Sequence, residues 1–448
     1  MAPLITLFSP DNIYSYGSMV IAGVLENAGY NVKLTRNYSA AEAANSDIVG
    51  FSLSSTLHLV GATAKVIKEL KEEHNPFIVV GGPLSIVPEL IFKCLPQVDT
   101  VVLGEGEETI RELIEIVRAK KELESIAGLA FKHAGKTVIT EKKDPYKLEN
   151  SPIPKIPSDI GEQMVRGANV YFETHRGCLA NCAFCLIPKF FGQRSIRSKT
   201  ISQIKREIRA FVMKGAFKFA IGSGNIALYG MKDHEINEDK VSQMLETVSS
   251  VVTPFNFAAP DLRVDMIPDQ ILAAVRKYTY GLVIFGMESG SDHVLKLMKK
   301  GITVQKILEG IERCEKFGLM VAGAFITGYP GEEEEHFQET KEFIESHSLN
   351  DYTISLPEPI PGTELATTIL KLPNDKNPVF IKDTTQFGKK YNFTIAERRC
   401  FELYLSASTS RKAPLFLSDR LMEEFVKIVK QQGEEIRQIT QILKQHIT

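Results

Sequence analysis

The chain has 448 residues, 44% of them hydrophobic, and a formal net charge of −2. This length predicts two or three domains, and the balanced charge gives no electrostatic attraction to nucleic acids or anionic membranes. No apolar run is long enough to cross a bilayer, and the opening MAPLITLFSP fits a buried strand rather than a signal peptide. The scattered Cys94, Cys314 and Cys400 argue against a disulfide framework. We expect a cytoplasmic protein with neither nucleic-acid nor membrane partners.

Residues 1–145 alternate short apolar runs with amphipathic stretches. The predicted strands are LITLFS, NVKLT, DIVGFSLS, FIVVGG and TVVLGEG, and the predicted helices cover 17–29, 58–73, 85–94 and 107–120. Such alternation indicates a parallel sheet with helices on both faces. A hairpin over LAFKHAGKTVITE follows, with its turn near Ala134 and Gly135. We therefore predict an N-terminal Rossmann-like α/β domain.

Two of these strands end in glycine-rich segments, VVGGPLSIVPE (79–89) and VVLGEGEETI (101–110). In a doubly wound sheet the ligand binds at strand ends of this kind. Glycines there let the backbone approach a large flat ligand closely. By itself, the pattern also fits a generic nucleotide-binding or response-regulator-like fold.

A proline-rich stretch, ENSPIPKIPSDI, marks residues 146–167 as a linker. Residues 168–365 repeat the strand–helix alternation, with strands at NVYFETH, KFAIGSG, FNFAAPDLRVD, GLVIFGMESG, MVAGAFITGYPG and DYTISLPEPIP. Six repeats predict a partial (β/α)6 barrel, whose chemistry would lie at the carboxyl ends of the strands. Residues 366–448 lack this alternation and end in a long amphipathic helix pattern, so we predict a mainly helical C-terminal domain that caps the substrate.

Three of the six cysteines, Cys178, Cys182 and Cys185, lie in the segment HRGCLANCAFC (175–185). A zinc site would need a fourth thiolate or a histidine pair, and the neighbouring residues supply neither. Three thiolates on one loop suit a 4Fe–4S cluster whose fourth iron stays open for chemistry. A structural zinc site or a redox cluster is the alternative interpretation.

This loop follows directly on a predicted strand and has Phe184 before its last cysteine, and in both respects it resembles the cluster loop of the radical S-adenosylmethionine (SAM) enzymes. Later segments resemble further parts of that family in the same order: GSGN, FGMESGSDHVLKLMKKGIT, FITGYPGEE and PEPIPGTEL. The resemblance implies that SAM chelates the open iron. It assigns SAM contacts to Phe184, Gly222, Ser223, Gly224, Arg263, Glu288, Ser289, Ile326 and Gly328. Without the resemblance, Glu288 fits a helix N-cap or a surface carboxylate, and Arg263 fits a structural ion pair equally well.

Residues 49–71, 79–89 and 101–110 resemble the cobalamin-binding domain that is fused to many radical SAM enzymes, which identifies 1–145 as that domain. The resemblance assigns corrin contacts to Tyr16, Ser52, Ser54, Ser55, Thr56, Leu57, Gly81, Gly82, Pro83, Gly104, Glu105 and Gly106. Domains whose histidine ligates cobalt carry it two residues after an aspartate, but here Ile13 follows Asp11 at that distance. We therefore expect base-off cobalamin without a histidine ligand from this loop. His58 is the nearest substitute, although an ordinary helix-start role fits it better.

With both cofactors, the chain resembles the cobalamin-dependent (class B) radical SAM methyltransferases. The resemblance implies methylation of an unactivated sp3 carbon through a 5′-deoxyadenosyl radical and methylcobalamin, with a low-potential electron donor as partner. Breaking a C–H bond in this way needs no acid–base pair, so no catalytic side chain is assigned. Cyclisation, ring contraction or oxygenation of a small molecule is the alternative. A methylthiotransferase would need three more cluster cysteines in the N-terminal domain, which offers Cys94 alone. A non-enzymatic sensor would show no SAM turnover.

The whole chain is also similar to the archaeal enzymes that C-methylate a glutamine of methyl-coenzyme M reductase. This similarity implies a post-translational modification in an anaerobic methanogen, with a protein or peptide substrate such as the alpha subunit of that reductase. Lipid, bacteriochlorin and natural-product substrates are alternatives. The tail segment KKYNFTIAERRCFELY, which contains Cys400, predicts a packed helix with a solvated basic edge. A peptide-docking surface, or a cysteine that acts late in the reaction, is the second interpretation.

Overall fold

The computed structural model describes residues 4–192 and 196–447. The chain divides into two compact units. Unit 1 comprises Met1–Cys178, Leu186–Ser223 and Glu246–Phe257, and unit 2 comprises Leu179–Cys185, Gly224–Leu245 and Ala258–Thr448. In the described part of the chain, every helix is too short or too polar to cross a membrane.

Unit 1 contains a seven-stranded sheet. Its strands are β1 (Leu4–Phe8), β2 (Asn31–Thr35), β3 (Ile48–Ser52), β4 (Phe77–Gly81), β5 (Thr100–Val102), β6 (Leu129–His133) and β7 (Lys136–Ile139). The order across the sheet is β2-β1-β3-β4-β5-β6-β7. Strands β1 to β5 are parallel, and the β6–β7 hairpin extends the sheet antiparallel. The predicted doubly wound sheet is confirmed, and its order reverses between β1 and β3, where such sheets bind ligands.

Four helices pack with this sheet: α1 (Tyr16–Asn27), α2 (Ala62–Glu73) and α3 (Pro88–Cys94), which connect parallel strands, and α4 (Glu107–Ala119), which connects β5 to the antiparallel β6. Their apolar faces cover the sheet, and the core between them includes the fully buried Ile5, Leu25 and Leu113. Helices α2 and α3 begin later than predicted, because short 3-10 turns at Thr56–Leu59 and Pro83–Ile86 precede them. These turns follow the strand ends that carry the predicted ligand contacts.

The second strand–helix alternation is also present. Its strands are β8 (Val170–Phe172), β9 (His175–Arg176), β10 (Arg197–Ser198), β11 (Phe219–Ile221), β12 (Phe257–Ala258), β13 (Asp261–Leu262), β14 (Leu282–Glu288), β15 (Met320–Ile326) and β16 (Asp351–Ser355). They form a sheet of order β12-β11-β8, an antiparallel pair β9–β10 and a parallel sheet of order β13-β14-β15-β16. The strands of the predicted barrel are therefore where the sequence pattern places them.

The remaining helices are α5 (Ile187–Phe190), α6 (Ile201–Met213), α7 (Glu238–Val252), α8 (Asp269–Tyr278), α9 (Asp292–Leu297), α10 (Val304–Lys316), α11 (Glu334–Ser346), α12 (Glu364–Lys371), α13 (Gln386–Tyr391), α14 (Ile395–Ser410) and α15 (Asp419–Ile447). Thr394 and Glu397 form a capping box that starts α14, as the spacing T-x-x-E predicts. The C-terminal segment is mainly helical, as expected.

Candidate active site

A cavity of about 450 Å³ lies in unit 1 at the carboxyl ends of β1, β3, β4 and β5. Nine of the twelve predicted corrin contacts line this cavity: Tyr16, Ser52, Ser54, Gly81, Gly82, Pro83, Gly104, Glu105 and Gly106. The other three, Ser55, Thr56 and Leu57, lie outside its lining. Ser55 instead caps a 3-10 turn, because its hydroxyl accepts a hydrogen bond from the Leu57 N–H at 3.2 Å, and Thr56 is buried. The strand ends therefore form the site, and the turn after β3 supports it.

The glycines of the cavity wall have a steric role. Gly82 has φ +92°, and a Cβ there would lie 2.9 Å from the Leu53 carbonyl oxygen and from the Ser52 hydroxyl. Any other residue would combine backbone strain with a clash. The sequence predicts that glycine at this strand end lets a ligand approach. The structure adds a second reason, because the local packing and backbone angle at Gly82 also require glycine.

Buried charged groups line the same cavity, and the sequence analysis nominated Glu105 alone among them. The Arg176 guanidinium donates to Glu105 and Glu107 at 2.6 Å each and to Glu173 at 2.8 Å. Arg197 donates to the second oxygen of Glu105 at 2.5 Å. Burial would lower the pKa of Arg176, but the carboxylates around it, Glu173 and Glu107 foremost, raise it well above its usual value. This guanidinium is therefore a permanent cation in the cavity wall.

Tyr16 lines the cavity, and its hydroxyl forms hydrogen bonds with two buried side chains. The hydroxyl donates to Glu207 at 2.5 Å and accepts from the Lys199 ammonium at 2.5 Å. Lys199 is fully buried and also donates to Glu207 at 2.9 Å. Burial, followed by the Glu207 charge, raises the pKa of Tyr16 well above its usual value. Tyr16 therefore presents a neutral, fixed aromatic surface.

The loop after β1 contains Asp11, which matches the aspartate of the cobalt-ligating motif, whereas Ile13 stands at the position of its histidine. Asp11 Oδ1 lies 2.9 Å from His58 Nε2, and the Ser54 N–H donates to His58 Nδ1 at 3.2 Å. The hydrogen bond from His58 lowers the pKa of Asp11 against the opposing effect of burial. Asp11 and Asn12 both have left-handed backbone angles, φ +57° and +56°. Since both imidazole nitrogens of His58 have partners, His58 holds this loop and is not placed as a metal ligand.

Cys178, Cys182 and Cys185 are half-buried cysteines. The Cys185 N–H donates to the Cys182 carbonyl at 3.1 Å, and the Ala183 N–H donates to the Met298 carbonyl at 2.9 Å. Within residues 4–192 and 196–447, no three His, Cys, Asp or Glu side chains are gathered closely enough to hold a metal ion. The chemistry of the donor set, three soft thiols on one loop, is what matches iron.

Glu288 is neither an N-cap nor a surface carboxylate, which corrects the interpretation from the residues alone. It has φ +65°, is 7% exposed, and accepts from the Lys300 ammonium at 2.7 Å. Lys300 in turn lies 5.9 Å from the centre of the Phe184 ring. The sequence contained a signal for Lys300 in the run MKKG, but neither lysine was nominated. The strained backbone at a buried ion pair is typical of a functional site.

Arg263 forms the structural ion pair that was one of its two predicted roles. Its guanidinium donates twice to Asp265 at 3.0 Å and once to the Lys300 carbonyl at 2.9 Å. Nη1 lies 3.9 Å from Cys182 Sγ. Arg263 therefore places a positive charge beside one predicted iron ligand.

The other predicted SAM contacts differ in their surroundings. Gly222 lines the cavity of unit 1, and the Ser223 hydroxyl accepts the Thr174 N–H at 2.7 Å. The Ser289 hydroxyl is buried against Thr340 at 2.9 Å. In unit 2, Gly224 has φ +75°, and the Gly328 N–H donates to Glu332 at 2.6 Å. Ile326 and Phe184 both pack against one buried apolar cluster, which includes Met298. Ser223 and Ser289 therefore support the backbone, and their assignment as SAM contacts stays a prediction.

The basic edge predicted on the tail helix is not solvated. Arg398 and Arg399 are each 5% exposed and form ion pairs, Arg398 with Asp383 at 2.9 Å and Arg399 with Glu332 at 3.1 Å. The carboxylates that neutralise these two arginines come from segments distant in sequence. A local sequence pattern therefore cannot predict that the arginines are buried. Cys400 is fully buried, and burial raises the pKa of its thiol. The interpretation of Cys400 as a late-acting cysteine has no support from its position.

Two family models match the chain: the B12 binding domain over residues 6–114 and the Radical SAM superfamily over residues 172–344. A Methanocaldococcus jannaschii protein provisionally named a methylthiotransferase is 41% identical over 443 residues, which is 98% of this chain and 95% of the relative. An uncharacterized methyltransferase of Pyrococcus horikoshii is 30% identical over 335 residues, 71% of this chain and 68% of that protein. The chain belongs to the radical SAM superfamily and carries a B12-binding domain.

Solved structures share this fold. The radical SAM methyltransferase TsrM from Kitasatospora setae, with cobalamin and a 4Fe–4S cluster bound, gives a TM-score of 0.69 at 13% identity, over 98% of this chain and 99% of TsrM. The cobalamin-dependent radical SAM enzyme OxsB, with aqua-cobalamin and SAM bound, gives 0.63 at 18% identity. That match covers 97% of this chain and 62% of OxsB. The likeness to these structures concerns the fold. The two family models identify the protein as a cobalamin-dependent radical SAM enzyme, whose cofactors are a 4Fe–4S cluster, SAM and cobalamin.

The cavity fits the corrin chemically. Its lining is mostly apolar, with side chains such as Leu7, Ile21 and Val102 beside the glycine backbone. Glu173 is one of the lining residues, and its buried Oε1 is an acceptor to which no side chain or backbone group of the described residues donates. The edge of a corrin ring carries primary amides, whose N–H groups can supply the missing bond. Burial would raise the pKa of Glu173, but Arg176 and Lys199 lower it, so the acceptor is a carboxylate.

Proposed function

We propose that the protein is a cobalamin-dependent radical SAM methyltransferase that acts on an unactivated sp3 carbon. The observation that carries the proposal is the cavity of the B12-binding domain, whose lining among the described residues includes no histidine. His58, which contacts the lining residues Asp11 and Ser54, has hydrogen-bond partners at both nitrogens. A corrin that binds there would therefore meet no histidine of the cavity wall. When bound, the cofactors would supply a 5′-deoxyadenosyl radical for hydrogen abstraction and a cobalt centre that relays a methyl group.

The protein's own residues have binding and shielding roles in this reaction. The Tyr16 ring and the apolar strand ends exclude water from the cavity, and Glu173 fixes the orientation of an amide at its edge. In unit 2, the buried Glu288–Lys300 pair and the partly exposed Arg263 hold charge near the cysteine loop. None of these groups needs to exchange a proton with the substrate carbon.

For the substrate we propose a protein or peptide, with a glutamine of the methyl-coenzyme M reductase alpha subunit as the first to test. The choice rests on the resemblance of the whole chain to the enzymes that methylate this residue. A low-potential electron donor and an anaerobic cytoplasm belong to the same proposal.

The name of the Methanocaldococcus relative favours a second candidate, methylthio transfer. That chemistry adds sulfur and would call for a further cluster in the N-terminal domain. Before the cysteine loop the chain offers only Cys94, a half-buried thiol at the end of α3 whose pKa is raised by burial. One thiol cannot replace three, so we rank methyl transfer first.

One anaerobic experiment separates these reactions. The protein is reconstituted with iron, sulfide and cobalamin, reduced, and incubated with methyl-deuterated SAM and glutamine-containing peptides. Methyl transfer predicts equal amounts of S-adenosylhomocysteine and 5′-deoxyadenosine, and a three-deuteron methyl on the peptide. Cyclisation or oxygenation yields only the nucleoside, and methylthio transfer adds sulfur to the product.

The control is Cys182→Ser, which should lose both products because one predicted iron ligand is gone. Reaction with a lipid or tetrapyrrole but with no peptide would overturn the substrate proposal. Absence of S-adenosylhomocysteine while the nucleoside forms on a converted substrate would overturn methyl transfer itself.

A further inference from the structure

The segment that contains the three cysteines is closed at its base by two short strands. Strand β9 precedes Cys178, strand β10 begins at Arg197, and the two pair antiparallel with Arg176 opposite Arg197. Any displacement of this base moves both ends of the segment. The residues that hold the base are therefore in a position to control cluster assembly.

The two arginines that face each other in this strand pair, Arg176 and Arg197, both donate hydrogen bonds to the carboxylate of Glu105. Arg176 Nη1 lies 2.6 Å from Glu105 Oε2, and Arg197 lies 2.5 Å from Oε1 and 2.9 Å from Oε2. Glu105 comes from the loop after β5, 71 and 92 residues away in sequence. Its side chain is only 7% exposed, so water does not compete strongly for these charge-assisted bonds.

Glu105 also lines the corrin cavity, and so does part of the cysteine segment. Phe190 and Phe191, five and six residues after Cys185, contribute to the lining. The Phe191 ring lies 5.6 Å from the Arg176 guanidinium carbon. An occupant of the cavity therefore contacts a wall made of both the Glu105 loop and the cysteine segment.

We propose that Glu105 is a positioning residue that couples corrin binding to cluster assembly. A corrin that packs on the Glu105 loop and on Phe191 fixes the carboxylate, and the carboxylate fixes both ends of the cysteine segment. Coupling between two binding events is reciprocal, so the cluster must tighten corrin binding by the same factor. The inference depends on the two cofactors and not on methyl transfer, so it can fail while the proposed reaction stands.

The test is the dissociation constant of cobalamin, measured by absorbance for the protein with its cluster and after removal of the cluster by a chelator. We expect the cluster to tighten cobalamin binding about tenfold in the unaltered protein, within the usual range of coupling. In Glu105→Gln the same factor should be close to one, because a neutral amide cannot hold two guanidinium groups. The reverse measurement, loss of iron to a chelator with and without cobalamin, should give the same factors.

Two further variants keep the test decisive. Glu112→Gln removes a carboxylate that pairs with Lys143 at 2.7 Å near the surface and should leave the tenfold factor intact. Arg197→Lys keeps the charge but loses the two-pronged contact, so it should lower the factor even if Glu105→Gln does not fold. An unchanged factor in the Glu105 and Arg197 variants, or no coupling in the unaltered protein, would overturn the proposal.

Discussion

Within the described residues, each unit contains a cluster in which buried arginines pair with several carboxylates. The cavity network comprises Glu105, Glu107, Glu173, Arg176 and Arg197. The C-terminal network comprises Glu332, Glu334, Asp383, Arg398, Arg399 and Glu402. Both contain arginines that pair with more than one carboxylate. Their chemistry is therefore nearly the same.

The two clusters differ in what they face. Four members of the cavity network line an open volume beside glycine strand ends. In the C-terminal network both arginines pack over the Phe337 ring, at 5.3 and 5.5 Å, and Gly328 lies so close to Ala396 that a Cβ would be 2.7 Å away. Buried charge by itself therefore does not identify a ligand site; buried charge beside a cavity does. The C-terminal network holds the tail helix α14 to the segment after β15.

The largest effect that we expect is a loss of folding stability when an arginine of the C-terminal network is replaced. Arg399→Met leaves the buried Glu332 carboxylate without its cation, and removing one partner of a buried pair costs about 3–5 kcal/mol. Burial already raises the pKa of Glu332 against the opposing effect of Arg399. The loss should therefore be greatest at neutral pH and smaller in acid, where protonation removes the unpaired charge. Denaturant midpoints at several pH values measure this loss, and the dissociation constant of cobalamin should stay unchanged.

The matched control for this measurement is Arg420→Met. Arg420 is 90% exposed and pairs with Glu424 at 3.5 Å on the surface of α15, so its removal should cost less than about 1 kcal/mol. If Arg399→Met weakened cobalamin binding as strongly as it lowered stability, the division into a ligand-facing and a structural network would be wrong.

A smaller effect is expected at the cavity wall. Gly82→Ala forces a side chain into φ +92° and against the Leu53 carbonyl, and strain of this kind costs about 1–3 kcal/mol. Gly135 provides the control, because it has φ +78° in the β6–β7 turn with open space around it. We expect both alanine variants to lower the unfolding midpoint, but only Gly82→Ala to weaken cobalamin binding. Equal cobalamin affinity in the two variants would contradict the placement of the corrin at this strand end.

The sequence was sufficient for the fold because its signals are local. A few neighbouring residues are enough to recognise each of these signals: the strand and helix periods, the glycine-rich ends of β4 and β5, and the hairpin at Ala134. The three cysteines are local for the same reason. Their spacing predicts the cluster without any knowledge of the distant chain.

The charged lining of the site could not be predicted, because its partners come from far apart. Arg176 meets Glu105 across 71 residues, and Tyr16 meets Lys199 across 183. Nothing in a local window distinguishes such a residue from a solvated charge. The same limit explains why Arg398 and Arg399 were predicted to be solvated although both are buried.

The smallest effect is expected at the mouth of the cavity, where the Asp11–His58 pair is partly exposed. Asp11→Asn keeps the hydrogen bond from His58 but removes the charge, so it should change the free energy of unfolding by less than about 1 kcal/mol. Because His58 lowers the pKa of Asp11 below 3.8, the charged form stabilises the fold above that pH, and this contribution is lost as the pH falls through the lowered pKa. The difference between variant and unaltered protein should therefore disappear in acid. A difference that grew in acid, or a nitrogen-ligated cobalt signal in the electron paramagnetic resonance of the unaltered protein, would show that His58 is not held by Asp11.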